Sequence, residues 1–544
     1  MADRVRLGQP TAEVAGEAGT GEAPARSWRK LAWWAWVAAY VVAGVTLFFC
    51  YRRLSGTQAV TSDGAANALQ AWDMLHGNPL LRGWTVSDVS FYTTELPEYM
   101  GVELFRGLGP EVVHVAAAFT YTLLVLVAGL LAKGQAKGRE ALVRVLMASG
   151  ITVAPQLRPG ASILLLSPDH TGTLMLLLVT WLVLDRAPRR WYVPPVIAVL
   201  LGWVLIGDRI TVIVAVAPLV LVCAVRICRG LARREPLTSR WYEVSLAVAA
   251  VASVGVAWLA VHMISRLGGY AVSPLPTALA TLRAVPANLR ITAHGVLILY
   301  GADFSSLHGE VAAAFAVIHL VGLALAGWAL GLAIWRFFRL DDLVVQVLTV
   351  AVIINVAAFT VSTLPGDTYA FRQIVAVLPL GAVLAGRLLS GQVVRLRLVP
   401  ALGVILACYL VALGYGAAQP AVPAQDQALA DWLVAHHLKT GLTRSNANVT
   451  TLDTGGRVQL LVTHFWWSGA HPDAFQSKAS WYDRRLHYAN FVVSTTAGDS
   501  VLAVPYRIAV ADFGRPARIY HFRNYTIMIW DKNLLADLGA PRPQ

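Results

Sequence analysis

LAWWAWVAAYVVAGVTLFF, Leu31 to Phe49, holds 19 residues without one charged side chain. Arg26, Arg29 and Lys30 precede it and Cys50-Tyr51-Arg52 follow it, with no small-x-small cleavage site. It therefore reads as an uncleaved first membrane span rather than a removable signal peptide. The rest of the chain agrees. Of its 544 residues 57% are apolar and only 14% charged, where soluble globules carry about a quarter. The expected fold class is a polytopic α-helical membrane protein.

At roughly 20 apolar residues per span, about eleven spans are expected. They lie near 31–51, 112–132, 142–157, 172–185, 191–207, 210–228, 244–264, 311–335, 343–362, 373–389 and 398–416. Lys and Arg are retained in cytoplasmic loops. With the N-terminus inside, each inside segment is basic: Lys133 to Arg144, Arg186 to Arg190, Arg226 to Arg240, Arg336 and Arg339, and Arg387 to Arg397. The odd number of spans places everything after Ala417 outside the cell. The net charge of +13 is thus spread by topology, not gathered into a stripe that binds nucleic acid. The four cysteines, Cys50, Cys223, Cys228 and Cys408, all fall within or beside spans, leaving none for a disulfide in an outer domain.

Residues 1–27 read as a disordered cytoplasmic tail, and 28–416 as the membrane domain. The tail's GEAGTG from Gly16 has no strand before it and no helix after it, so it is no dinucleotide fingerprint. No Gly-Lys-Ser phosphate loop is present, which argues against an ATP-driven pump. Two long outer loops, 52–111 and 265–310, invite a functional reading; a surface helix is expected near 278–290. Residues 417–544 read as a small exoplasmic α/β domain. In it, PAQDQALADWLVAHHL is an amphipathic helix, NVTTLDTGGRVQLLV a strand, turn and strand, and ARIYHFRNYTIMIW a hairpin about Arg523-Asn524. Asn448 and Asn524 open Asn-x-Thr sequons.

The first outer loop is an acidic enclave in a basic protein, with Asp63, Asp73, Asp88, Glu95, Glu98, Glu103 and Glu111. A helix capped at Ser62 puts Asp63 in its first turn, where the helix dipole favours a carboxylate. Ala66, Leu69, Gln70, Asp73 and Met74 then fit an amphipathic helix at the membrane surface. On spacing alone, Asp63 is either a functional acid or a helix-start acid, and Asp73 reads as a solvated face residue.

One span, an aspartate just outside it, a surface helix, and then TTELPEY (Thr93 to Tyr99) before the second span resemble the GT-C superfamily of integral-membrane glycosyltransferases, which includes protein mannosyltransferases and aminoarabinose transferases. GDTYAFRQIVAVLPLGAVLAG (Gly366 to Gly386) is similar to that family's late outer loop. A soluble domain after the last span fits as well. Asp63 stands singly where many members have adjacent acids, and Gln373 follows Arg372 where an aromatic is usual. The resemblance implies a membrane enzyme that moves a hexosyl or pentosyl group from a polyprenyl-phosphate donor to an envelope glycan, lipid or protein; a single displacement would invert the anomeric centre, and the large share of Ala, Val, Arg and Gly suggests a bacterial plasma membrane. It implies that Asp63 is catalytic.

The chemistry of such a transfer asks for a base at the acceptor hydroxyl and cations at the leaving phosphate. Asp63 fits the first task; Arg372 and Arg209 fit the second, since a guanidinium fork matches phosphate oxygens. Asp88 and Glu95 of the same loop suggest further contacts: Asp88 with Asp63 is a candidate pair for Mg²⁺ or Mn²⁺, and Glu95 is a candidate substrate or metal contact. Asp169 and His170 of SPDHTGT would form an anion site at a helix start. Plainer readings stand beside these: a packing role for Arg372, a local Asp208–Arg209 ion pair, a turn at Asp88 and a cap at Asp169. Two other classes remain. A transporter or flippase would carry charges inside its spans, and here only His262 and His319 are ambiguous. A non-catalytic envelope scaffold would leave the acids incidental.

Overall fold

The computed structural model describes residues 23–158, 160–166, 170–305, 310–424, 426–466, 469–495 and 503–539, with side chains from Trp33 onward. Most of the expected tail, through residue 22, and Asp169 lie outside them. The chain divides into two compact units, Met1–Thr46 and Leu47–Gln544. Within the first, the described residues form the leading part of helix α1 (Ala23–Ser55). Residues 23–27, assigned to the tail, thus begin the helix. Trp33 and Trp34 are exposed, as suits aromatic rings at the boundary between lipid and water.

The second unit begins with the last turns of α1. Helix α2 (Ser62–Leu75) is capped by Thr61, whose Oγ1 accepts the Gly64 N–H at 3.1 Å, one residue ahead of the expected cap. It does not lie on a membrane surface. Every residue from Gly64 to Ala71 is buried, because four alanines make a slim rod that neighbours cover on all sides. Strand β1 (Trp84–Val86), helix α3 (Leu96–Arg106) and helix α4 (Glu111–Lys133) follow, and both helices pack on α2.

Next come α5 (Gly138–Thr152), α6 (Gly160–Leu164), α7 (Thr171–Arg186), α8 (Val193–Gly207), α9 (Ala217–Ala232), α10 (Trp241–Arg266), strand β2 (Ala271–Val272), α11 (Val285–Tyr300), α12 (Glu310–Trp335), α13 (Leu343–Thr360), α14 (Val377–Arg395) and α15 (Val399–Ala417). All but α2, α3, α6 and α11 coincide with the eleven expected spans. Among the described residues, 8 helices are long and apolar enough to cross a membrane; α5, α7 and α8 have 15, 16 and 15 residues. The chain is a multi-pass membrane protein. The surface helix expected near 278–290 is instead α11. Pro286 suits its first turn, where no N–H partner is needed, and Gly301 at φ 77 stops it.

Two local features shape the site. A π-helical turn, Val212–Val216, leads into α9, with the Ala217 N–H bonded to the Val212 carbonyl. Pro218 has no N–H for the Val214 carbonyl, so the ladder shifts register there. Helix α14 is the hub of the bundle: Val377 to Ser390 is almost wholly buried against α4, α5, α12 and α13. Its glycines permit this approach, since a Cβ on Gly386 would meet the Arg144 carbonyl oxygen at 2.8 Å.

Arg387, read as an inside-loop charge, sits within α14, where it pairs with Asp185 and Asp342. Arg226 pairs with Glu243 between α9 and α10. Charge in these helices is therefore buried in mutual pairs, which is how bundles tolerate it.

The C-terminal domain carries α16 (Gln427–Ala435), β3 (Thr440–Thr443), α17 (Ala447–Asp453), β4 (Gln459–Trp466), β5 (Gly469–Pro472), β6 (Ser477–Lys478), β7 (Phe491–Thr495), α18 (Tyr506–Phe513), β8 (Arg518–Phe522) and β9 (Tyr525–Ile529). Six strands form one sheet in the order β5-β4-β3-β7-β9-β8, with β3 parallel to both its neighbours. Apolar clusters cover both faces, one around Leu442, Phe465 and Met528 and one around Leu433, Phe491 and Ile527. The β8–β9 hairpin turns at Arg523-Asn524 as expected. NVTTLD is a helix, not a strand: β-branched composition is overridden because the segment packs on α2. Asn448 is buried and donates Nδ2 to the Gln476 carbonyl at 3.2 Å, so its sequon is closed to modification in the fold. A second, three-stranded sheet, β2-β1-β6, joins the two outer loops to this domain.

Candidate active site

Asp63, in the first turn of α2, is held from two directions. Arg372 Nη1 donates to Oδ2 at 2.8 Å and Gln476 Nε2 donates to Oδ1 at 2.7 Å. Arg372 arrives on a 3-10 turn, Thr368–Ile374, whose start is capped by Asp367 accepting the Ala370 N–H. Both Asp63 and Arg372 are about a third exposed, at 33% and 29% for their side chains, so the pair opens to solvent. A small cavity of about 20 Å³ lies against Asp63, Arg372, Asp88, His170 and Phe475.

A larger cavity of about 310 Å³ shares Asp88, Val89, His170 and Gln373 with the small one. Asp208, Arg209, Asn355 and Ser273 add polar atoms, while Ile210, Ile213, Phe359 and Leu364 make an apolar wall. The π-helical turn supplies Ile213. A ligand with a charged head and a greasy tail matches such a lining.

His170 and Asp208 form a buried pair, Nδ1 to Oδ2 at 2.6 Å. Thr173 Oγ1 also donates to Oδ2 at 2.8 Å, and the Ile210 N–H donates to Oδ1 at 3.0 Å. Burial works against a charged imidazole, yet Asp208 leaves His170 above its ordinary value. Burial likewise opposes the carboxylate, but His170 and the donors around it hold Asp208 below its usual range. The expected local pairing of Asp208 with Arg209 is thus corrected: Asp208 turns inward to His170, and Arg209 is left exposed on the cavity rim. His170 has φ 63, a left-handed backbone that costs a non-glycine residue and that tends to cluster at working sites. Burial raises Asp88, against the pull of His170 and Arg372.

Glu95 lies elsewhere. It is fully buried, and its Oε1 accepts the N–H groups of Gly172 and Thr173 at the start of α7, at 3.1 and 3.3 Å. Burial pushes it up to about 8. It lines neither cavity; it is a helix cap, and Gly172 is small because a Cβ there would meet Glu95 at 2.8 Å. A divalent cation finds a poor donor set. Among the described residues no group of three or more His, Cys, Asp or Glu converges on one point, and both oxygens of Asp63 are occupied by protein donors.

The remaining acids of the enclave are structural. Asp73 is not solvated: it accepts from Lys478 Nζ at 2.9 Å and from Trp84 Nε1 and Asn78 Nδ2 at 2.7 and 2.6 Å. Glu111 pairs with Arg52 at 2.8 Å. Glu98 is bonded by the Thr120 hydroxyl, and burial pushes it up to about 7. Glu103 is buried with neither oxygen partnered, and burial pushes it up to about 9.

That last value fixes a sign. In the unfolded chain a glutamate ionises near 4.3, whereas folded Glu103 keeps its proton to about 9. Between those values the folded state binds the extra proton, so stability falls as pH rises across the window. Glu103→Gln is expected to flatten the decline of melting temperature between pH 5 and pH 9 and to melt above wild type at the alkaline end. Parallel declines in thermal melts of the two proteins would remove this role.

Sequence reasoning singled out Asp63, Arg372, Arg209, Asp88 and His170, and the structure gathers all five about the two adjoining cavities. It missed Asp208 as the partner of His170, and it missed Gln476 and Phe475 altogether. For Asp208 a signal existed: an acid that ends a span beside a loop. For Gln476 there was none.

No family model and no curated protein sequence matches the chain. Among solved structures, ArnT from Cupriavidus metallidurans in the apo state matches with a TM-score of 0.54 and 13% identity, over 94% of this chain and 100% of its own. The same protein bound to undecaprenyl phosphate gives 0.54 and 13%, over 94% and 99%. An Archaeoglobus fulgidus oligosaccharyltransferase tethered to an acceptor peptide is less similar, at 0.46 and 13%, over 85% and 69%. At this identity the matches show a shared fold: this chain folds as ArnT does, over nearly the whole of both chains.

Proposed function

We propose that the protein transfers a sugar from a polyprenyl-phosphate donor to an acceptor hydroxyl on a cell-envelope glycan, lipid or protein, at the outer face of a bacterial plasma membrane. The observation that carries this reading is Asp63 bonded to Arg372 beside a cavity with one polar end and one apolar wall. The fold shared with ArnT, one structure of which holds undecaprenyl phosphate, supports it. Basic loops at the opposite span ends support the orientation, with the C-terminal domain outside.

In this reading the donor's phosphate enters beside Arg372 and Arg209, with its prenyl chain along Ile210, Ile213 and Phe359. Phosphate competes with Asp63 for the guanidinium of Arg372, which frees Oδ2 to take the proton of the acceptor hydroxyl. The acceptor oxygen bonds to the anomeric carbon from the face opposite the phosphate. The bond from that carbon to the phosphate oxygen breaks, and its electron pair leaves on polyprenyl phosphate. The new negative charge falls beside the two arginines. One displacement inverts the anomeric centre. No step is routed through a divalent cation.

The test is release of polyprenyl phosphate by purified protein in lipid, supplied with undecaprenyl-phosphate-linked hexoses and pentoses and an envelope extract as acceptor. Release from at least one donor is expected; none from any donor sinks the reading. Arg209→Ala is expected to raise KM for the active donor about tenfold, the effect of losing one charge-assisted contact. An unchanged KM takes Arg209 out of the donor site.

A further inference from the structure

Gln476 reaches Asp63 from 413 residues away. It is buried, with φ 50, a backbone conformation that only glycine adopts without strain. The strap that carries it is pinned along its length. Phe475 N–H is accepted by Asp473 Oδ1 at 2.9 Å, and Ser477 Oγ donates to the Asp473 carbonyl at 2.8 Å. Asn448 holds the carbonyl of Gln476 itself. Beyond it, Ser477 and Lys478 pair with Thr85 and Trp84 as a strand, Lys478 binds Asp73, and Trp481 packs edge-on to Trp84 at 4.8 Å. These contacts hold the backbone of Gln476 in its left-handed conformation, with its side-chain amide on Asp63.

We infer that Gln476 is a positioning residue for transfer, holding Oδ1 of Asp63 while Arg372 is drawn to the donor's phosphate. This rests on the transferase reading given above. A carboxylate only accepts hydrogen bonds, so the amide nitrogen is the atom that faces it. A neutral donor suits the task. It fixes the carboxylate without the counter-charge of a second cation, and unlike Arg372 it has no attraction to phosphate strong enough to pull it away. The other charged and titratable groups facing the small cavity are Arg372, Asp88 and His170.

Full-length protein in lipid, with the undecaprenyl-phosphate sugar that wild type cleaves, provides the test. Gln476→Leu is expected to lower kcat about tenfold with KM for the donor unchanged, because the arginines are untouched. Gln476→Glu, of nearly the same shape, removes the donor and adds a like charge, so the acidic limb of the pH–rate profile is expected to move up by about one unit. Should Gln476→Leu fail to fold, the glutamate variant carries the test. Lys478→Ala loosens the strap elsewhere and is expected to lower melting temperature without moving that limb. The inference is overturned if the limb stays put in Gln476→Glu, or if Gln476→Leu keeps wild-type kcat. Failure of the transferase reading looks different: there wild type itself releases no polyprenyl phosphate from any donor, so no Gln476 variant has a rate to lose.

Discussion

Asp63→Asn is expected to reduce release of polyprenyl phosphate by about a thousandfold or more, the upper range for removing a general base. Asparagine keeps the shape of aspartate and still accepts at Oδ1, so α2 and the strap should stay in place. What it loses is the capacity to take a proton and the attraction for Arg372. The Arg372–Asp63 pair is about a third exposed on each side, and pairs of that kind contribute roughly 0–1 kcal/mol to stability. Melting temperature should therefore move little while turnover collapses. A variant that folds and turns over at more than a tenth of the wild-type rate would exclude Asp63 as the base.

The second large effect belongs to the opposite end of the bundle. Arg387 donates to the Leu131 carbonyl from Nε at 2.9 Å and from Nη2 at 2.7 Å, and it pairs with Asp185 and Asp342, each at 2.7 Å. One side chain thus ties α4, α7, α13 and α14 together. Asp185 already has Oδ2 buried without a partner. Arg387→Met fills similar volume but abandons that carboxylate in a low-dielectric site. Removing one member of a buried pair costs about 3–5 kcal/mol, and a fall of several degrees in thermal melts is expected. Asp185→Leu on the same background should recover part of the loss, because the orphaned charge goes with it. If Arg387→Met melts within a degree of wild type, the cluster does not bind the helices.

The spans were legible because bilayer thickness imposes a length and a composition that each segment must meet alone. Asp63 was legible for a similar reason: a cap and a first-turn acid are local events. Most of the failures are long-range. Arg387 looked like a loop charge because sequence does not show Asp185 and Asp342 waiting across the bundle. Asp73 looked solvated because Lys478 is 405 positions away. Glu95 looked like a ligand, yet its partners are the backbone of α7, which no spacing rule connects to it. Asp208 beside Arg209 suggested a pair by adjacency, but the buried imidazole of His170 wins, being able to desolvate with it. Segment 447–453 read as strand from its Thr and Val content until its packing on α2 is known.

The joining of β1 to β6 also sets an order of events during synthesis. Trp84 leaves the ribosome long before its strand partner Lys478 exists. The 413 residues between Asp63 and Gln476 take about 20–80 s to translate at roughly 5–20 residues per second. For that interval the first outer loop is in place with its aspartate unheld and Asp73 without its lysine. Maturation of this loop is therefore tied to arrival of the C-terminal domain, and a ribosome stalled before residue 476 leaves Asp63 without its second donor.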